Sequence, residues 1–431
     1  MENTKKNVPE IRFPGFTDPW EQRKLETLCD VFTDGDWIEA KDQSDSGVRL
    51  VQTGNVGTTE YLDKENNKKW ISEETFERLH CKEIFEDDIL ISRLPEPAGR
   101  ACIMPYLGTR MITAVDCTIV RTSEEYDSKY LVQYLSTPMY FKVVNSFLGG
   151  GTRQRISRGN LSRIDIPIPS SIEEQKKIGE CFESLDNLIA LHQRKCEELK
   201  NYKKGLLQQM FPQPGEAFPR VRFPGFTNPW EQRKFQWLVD ESIIDIPMDG
   251  NHGEKHPTSS EYVDNGIPFL MASDIHNGRV DLTNCKFISE ERSKRLDKGF
   301  AKNGDVLITH KATIGEVAIL SGLQPEYAVL TPQVTYYRII DDTKLSREYL
   351  YAFFNSDMFQ KEIKTKAAQS TRAYIGISAQ RELSFSFPES LDEQNRIGAT
   401  ICYLDNLITL HQRKCEELKN YKKGLLQKMF V

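Results

Sequence analysis

The sequence predicts an α+β protein: two similar domains carried on two long antiparallel, coiled-coil-like helices, an internal repeat with a pseudo-two-fold relation between its halves. Three observations predict it. LDNLIALHQRKCEELKNYKKGLLQQM at 185–210 returns at 404–429 with only Ala190/Thr409 and Gln209/Lys428 different. RFPGFTDPWEQRK at 12–24 returns at 222–234 with only Asp18/Asn228 different. Between these blocks, weaker matches keep their order: KWISEETFERL with KFISEERSKRL, DDILISR with GDVLITH, GRACI with GEVAI. The 431 residues then divide into a connector (1–24), a domain (25–169), a long helix (170–211), a second connector (212–234), a second domain (235–388) and a second long helix (389–431).

Within the domains, short β-branched runs such as Ile89-Leu90-Ile91, Thr118-Ile119-Val120 and Gln333 to Tyr337 alternate with Gly/Asn/Asp turns and read as strands. Helical pieces intervene around 129–145 and 347–364, which makes each domain α+β.

Each long helix has a start signal. Ser171-Ile172-Glu173-Glu174 and Ser390-Leu391-Asp392-Glu393 fit the capping box S-x-x-E, just after Pro169 and Pro388. The first copy stops at Phe211-Pro212. Glu173 to Met210 is 38 residues, roughly 57 Å of helix at about 1.5 Å per residue. The apolar spacing is a heptad seam: Ile178, Leu185, His192, Leu199, Leu206 with Phe182, Ile189, Cys196, Lys203, Met210. The second copy repeats it as Ile397, Leu404, His411, Leu418, Leu425 with Ile401, Ile408, Cys415, Lys422, Met429. Such a seam buries itself only against another helix, and the other copy is the simplest partner. In an antiparallel pair His192 and His411 meet near the middle, where they either fix register or reach solvent at the seam edge. Connector aromatics, Trp20 and Trp230 with Phe16 and Phe226, join the seam as candidate partner-docking residues.

Bulk properties exclude several classes. No run of 18 apolar residues exists, and the N-terminus lacks the apolar core of a signal peptide. Nine cysteines lie scattered without CxxC spacing, which suits the reducing cytoplasm. A net charge of −6 argues against a generic polycation but allows a local basic face.

Motifs for catalysis are missing: no GxxxxGK[ST], no GxGxxG, no HExxH. FPGFTDPW lacks the second proline of an adenine-clamping motif. Glu86, Asp87 and Asp88 precede a strand that lacks a nuclease lysine. His252 and His256 stand four apart without two further ligands. The expectation is a non-enzyme without metal.

Local basic character is present in corresponding places. Gly149 to Arg163 carries Thr152, Arg153, Gln154, Arg155, Arg158 and Arg163 with no acid. Lys361 to Arg381 carries Gln369, Thr371, Arg372 and Tyr374 among five positive charges and one negative. Arg, Gln, Thr and Tyr are side chains that read base edges and hold phosphates. Two further candidate surfaces are the strand ends holding Arg93 and Arg100, matched by His310 and Lys311, and the Asp34-Gly35-Asp36-Trp37 loop, matched by Asp249 to His256 with His252 and Lys255. The duplication favours double-stranded DNA over an idle solvated loop.

IPIPSSIEEQKKIG (166–179) and FSFPESLDEQNRIG (385–398) lead into the long helices, and with DILISR…GRACI, DVLITH…GEVAI and IPFLMASDIHNG (267–278) they make the chain resemble the specificity (S) subunit of type I restriction–modification systems. The resemblance covers essentially the whole chain. It implies two target-recognition domains, each reading one half of a bipartite, asymmetric DNA site. It implies a helix pair that sets the unread gap and docks two methyltransferase (M) subunits, which methylate adenine. Motor-nuclease (R) subunits would join for cleavage. S-adenosylmethionine, ATP and Mg would belong to those partners, with none in this chain. The competing reading is a non-catalytic coiled-coil adaptor with two ligand-binding domains and no DNA role.

Overall fold

The computed structural model describes residues 8–149, 154–368 and 373–431. Two helices dominate the chain: Ile172–Gln209 and Leu391–Met429. The chain separates into two compact units, residues 1–191 with 414–431, and residues 192–413. Each unit thus takes the first half of one long helix and the last half of the other.

In the first unit a four-stranded antiparallel sheet runs Cys29–Asp34, Cys117–Thr122, Ile89–Ser92, Ala101–Ile103. A five-stranded sheet runs Gln43–Ser44, Lys69–Ile71, Val48–Val51, Met111–Thr113, Glu83–Ile84, with one parallel pair, Leu50 opposite Ile112. Glu21–Lys24 pairs with Asp165–Ile168, tying the connector to the strand before the long helix. The second unit has the same strand orders. Met248–Asp249, Val334–Tyr337, Val306–Lys311 and Thr313–Ile319 make the first sheet. The second is Tyr262–Val263, Lys286–Ile288, Ile267–Leu270, Ala328–Leu330 and Phe300–Ala301, again with one parallel pair, Leu270 opposite Leu330. Glu231–Lys234 pairs with Ser384–Phe387 in the register of its counterpart. The weak sequence matches therefore mark one topology used twice.

The matched strand DDILISR/GDVLITH is fixed by its aspartate. Asp88 accepts both Nε and Nη2 of Arg121 at 2.7 Å and the Phe85 amide at 2.8 Å. Asp305 does the same with Arg338 and the Lys302 amide. These carboxylates are spent on strand architecture, since a buried charge persists only when paired and hydrogen-bonded.

The helix starts differ from a capping box in one respect. Ser171 and Ser390 accept the Glu174 and Glu393 amides at 3.4 Å. The glutamate side chains do not turn back. Glu174 takes a two-pronged bond from Arg12 (2.6 and 2.7 Å), and Glu393 takes the same from Arg222 (2.7 and 2.7 Å). Both carboxylates are 1 % exposed, so a full positive charge outcompetes a backbone N–H. That explains why RFPGF repeats: its arginine clamps the root of the long helix in its own unit.

Each core closes on the far end of a long helix. In the first unit Phe430 packs on Phe182, Trp20 and Tyr130 at centroid separations of 5.7, 6.3 and 5.4 Å. In the second Phe211 packs on Trp230 and Tyr349, both at 5.9 Å. Burying one such phenyl is worth about 1.5–3 kcal/mol. In both units the helices run antiparallel. Phe182 meets Phe430 while Asp186 meets Lys422, and His192 meets His411 while Lys203 meets Asp405.

Leu185, Ile189, Leu404 and Ile408 are buried, as the heptad predicts, whereas Leu199, Leu206, Leu418 and Leu425 are half-buried. Leu207 and Leu426 lie deeper than their neighbours Leu206 and Leu425. A straight helix drifts ~20° per heptad, so after four heptads the next residue faces the seam. Trp20 and Trp230 correct the expectation of docking aromatics: both are core residues, 3 % and 5 % exposed. Phe16 and Phe226 stay at the surface, under Lys177 and Arg396. Among the described residues no helix is long and apolar enough to cross a membrane.

Candidate nucleic-acid interface

In the first unit the candidate surface gathers at the end of Cys29–Asp34. The Gly35 amide donates to the Cys117 carbonyl at 2.9 Å, and a Cβ at Gly35 would lie 2.3 Å from the Thr113 carbonyl oxygen. Only glycine lets the chain turn here, and the turn presents Asp34. Asp34 accepts the Thr118 hydroxyl at 3.0 Å and faces Arg93 Nε at 3.5 Å and Arg158 Nη1 at 3.9 Å. Asp116 stands 3.7 Å from Arg155. Gln154, Arg155 and Arg158 are exposed, and Trp37, three residues after Asp34, is 71 % exposed.

Two predicted readers are tied to backbone carbonyls instead of being free for DNA. Arg93 is buried and donates to the Val115 carbonyl at 2.6 Å. Arg100 donates to four carbonyls, of Val56, Leu94, Pro97 and Thr53. A guanidinium spent on backbone carbonyls is a loop clamp, and burial lowers its pKa from the ordinary value. Thr152 and Arg153 lie outside the described residues, as do Gln369, Thr371 and Arg372.

The second unit repeats the turn with other chemistry. A Cβ at Gly250 would lie 1.8 Å from the Leu330 carbonyl oxygen. The aspartate before it, Asp249, is buried and accepts His252 Nε2 at 2.8 Å and Lys298 Nζ at 2.5 Å. Burial alone would raise its pKa, but these two bonds outweigh burial and hold the carboxyl below the usual range. His252 itself remains half exposed, on the rim of a cavity of about 410 Å³ that His256, Tyr262, Lys311 and Gln333 also line. Lys311 Nζ lies 5.9 Å from the Tyr374 ring, and the two residues form a β-bridge. Lys255 is exposed and pairs with Asp297.

His310 is a third predicted reader that the structure corrects: it is fully buried. Its Nε2 donates to the Pro332 carbonyl at 3.1 Å, which leaves Nδ1 to accept the Gln380 amide at 2.5 Å. Burial pushes its pKa down, so it stays a neutral pin between strand and loop rather than a reader. Sequence spacing could place Arg93, Arg100 and His310 at strand ends but not decide which side of the sheet they face.

Sequence reasoning missed Lys298, Asp186 and Asp405. The aspartates had a signal: Lys203 and Lys422 occupy apolar seam positions, and a lysine there needs a carboxylate. Asp405 accepts Lys203 Nζ at 2.6 and 2.8 Å, and Asp186 accepts Lys422 Nζ at 2.6 and 2.7 Å.

One topology used twice, each time with a glycine-backed aspartate turn at the end of its first sheet strand, defines a duplicated two-domain α+β protein. The family model described as "Type I restriction modification DNA specificity domain" matches residues 17–201 and 242–420. The type I restriction enzyme MjaVIII specificity subunit of Methanocaldococcus jannaschii is 24 % identical over 382 residues, 85 % of this chain and 84 % of that one. The EcoBI specificity subunit of Escherichia coli is 20 % identical, over 73 % of this chain and 67 % of its own. The crystal structure of the type I restriction–modification S subunit from M. genitalium matches the fold with a TM-score of 0.62 at 14 % identity, covering 98 % of this chain and 99 % of that one. The chain belongs to the type I restriction–modification DNA specificity family, with two copies of the specificity domain, each match including a recognition domain and part of the long helix that follows it.

Proposed function

We propose that this chain supplies the sequence recognition of a type I restriction–modification complex, with each domain reading one half of a bipartite, asymmetric site on double-stranded DNA. One observation carries the reading: the same glycine-backed aspartate turn holds Arg158 in one unit and His252 with Lys298 in the other. A shared scaffold with different donors suits two different half-sites. Exposed Arg155, Arg158 and Lys311 hold phosphates, while Gln154, His252 and Tyr374 face bases.

The helix pair sets the gap between half-sites and docks two methyltransferase subunits. Leu188, Leu191 and Tyr421 are exposed in the first unit, and Tyr202, Tyr403 and Leu410 in the second. Apolar side chains left on polar helices fit a partner surface. The methyltransferase subunits bring S-adenosylmethionine and methylate adenine. Restriction subunits bring ATP and Mg chemistry and cleave unmodified DNA, and the chain itself catalyses nothing. The whole assembly works in the cytoplasm.

The test is methylome sequencing of the source cell with the gene present and deleted. Loss of N6-methyladenine at one bipartite motif on deletion supports the reading and gives both half-sites. An unchanged methylome in a cell that expresses the partner subunits overturns it in favour of the adaptor.

A further inference from the structure

In each unit one aspartate of a long helix ties together three elements. In the second unit Asp405 holds Lys203 of the facing helix and also accepts the Tyr351 hydroxyl at 2.8 Å. Tyr351 belongs to the buried domain helix Arg347–Phe354. The tip of the hairpin Ile275–His276/Arg279–Val280 lies on that hydroxyl: a Cβ at Gly278 (φ +75°) would stand 2.3 Å from it. Arg279 next to it donates to Asn406 at 3.2 Å. In the first unit Asp186 holds Lys422 and accepts Gln133 Nε2 at 2.9 Å and the Thr59 hydroxyl at 3.2 Å. Gln133 lies in the domain helix Ser128–Tyr134, and Thr59 in the turn closed by the Val56–Tyr61 bridge. The elements correspond, while the side chains that reach the aspartate differ.

We propose that Asp186 and Asp405 are positioning residues for DNA recognition: each locks its recognition domain onto its own stretch of helix pair and thereby fixes the gap length that the complex accepts. The inference rests on the bipartite reading above. The geometry supports it because the carboxylate is the shared acceptor of two separate arms. The lysine arm belongs to the facing helix and the tyrosine or glutamine arm to the domain. Removing the tyrosine arm frees the domain helix from Asp405, and removing the lysine arm frees the Asp405 helix from the facing helix, so either change loosens the domain on the pair without unfolding it. The two arms bond Asp405, whereas the turn bearing Asp249 and His252 is held by its own bonds to Lys298 and His252, so the bases read stay the same.

The experiment uses the assembled methyltransferase complex and plasmids carrying the two half-sites at the native gap and at gaps one base pair shorter and longer. The wild-type chain, Tyr351→Phe and Lys203→Met are compared by N6-methyladenine sequencing, with thermal melting in parallel. The expected result for both variants is unchanged half-site bases, with methylation at the off-length gaps rising at least tenfold relative to the native gap. Unchanged gap discrimination overturns the proposal. So does a changed half-site base, or a uniform loss at all gaps, because the residues then serve base reading or stability. Absence of any bipartite motif with the wild-type chain strikes the proposed function instead.

Discussion

Nδ1 of His192 lies 2.9 Å from Nδ1 of His411, so the two imidazoles share one proton across the helix pair. One ring donates and the other accepts, which requires at least one neutral ring. Burial pushes the His411 pKa below its ordinary value, and the neighbouring His192 and Lys195 push it the same way. The unfolded chain takes up its proton near pH 6.5 while folded His411 resists it. The contribution is therefore complete above about pH 6.5 and is lost as the pH falls below it. Thermal melting between pH 5 and 8 should show a midpoint that drops on the acid side, and His411→Leu should flatten that slope. A flat wild-type profile removes the shared proton from the account.

The Arg12–Glu174 and Arg222–Glu393 clamps give a second prediction. Each glutamate is buried and each arginine nearly so. Removing one partner of a buried pair leaves an uncompensated charge and costs about 3–5 kcal/mol. Arg12→Met and Arg222→Met should each lower the melting temperature by several degrees, in separate units, and their effects should add. Calorimetry on the single and double variants checks this; a loss under about 1 kcal/mol contradicts the clamp.

Arg155 and Arg158 are proposed phosphate contacts, so each alanine substitution should weaken DNA binding by the complex at every sequence. Each should also reduce the slope of log K against log salt by about 1. His252→Ala should act differently: it relaxes discrimination at one half-site by about 1–3 kcal/mol and leaves the salt slope nearly unchanged. Titrations at several salt concentrations, with cognate and single-base-changed duplexes, separate the two behaviours.

The repeated architecture was legible because 185–210 and 404–429 are nearly identical and because heptad spacing and caps are local signals. Other features depend on where the folded chain brings distant segments. Phe430 seals the first unit, and nothing near the C-terminus announces that its partner is Trp20. The cap glutamates Glu174 and Glu393 match a local motif yet bind arginines more than 160 residues away. Arg93, Arg100 and Arg155 look alike as letters, and only the sheet decides that the first two are spent on carbonyls and the third faces water. The corresponding positions of the two sites were readable from the repeat; the sidedness of each residue was not.

The glycine after each site aspartate provides the sharpest stability test. At most exposed turns Gly→Ala gains about 0.4–1 kcal/mol by restricting the unfolded chain. At Gly250 the new methyl would stand 1.8 Å from the Leu330 carbonyl oxygen, and at Gly35 it would stand 2.3 Å from that of Thr113. Leu330 and Thr113 sit in the parallel pairs of their sheets and cannot retreat without breaking ladder bonds. Overpacking of this kind costs about 1–3 kcal/mol, so the clash exceeds the entropic gain. Gly250→Ala should therefore lower the melting temperature and displace Asp249, which holds His252 and Lys298. Recognition of the second half-site should fall with it, while Gly35→Ala should damage the first. Binding of duplexes altered in one half-site at a time reads this directly. Equal loss at both half-sites from either variant would mean that the turn serves global stability and not the local site.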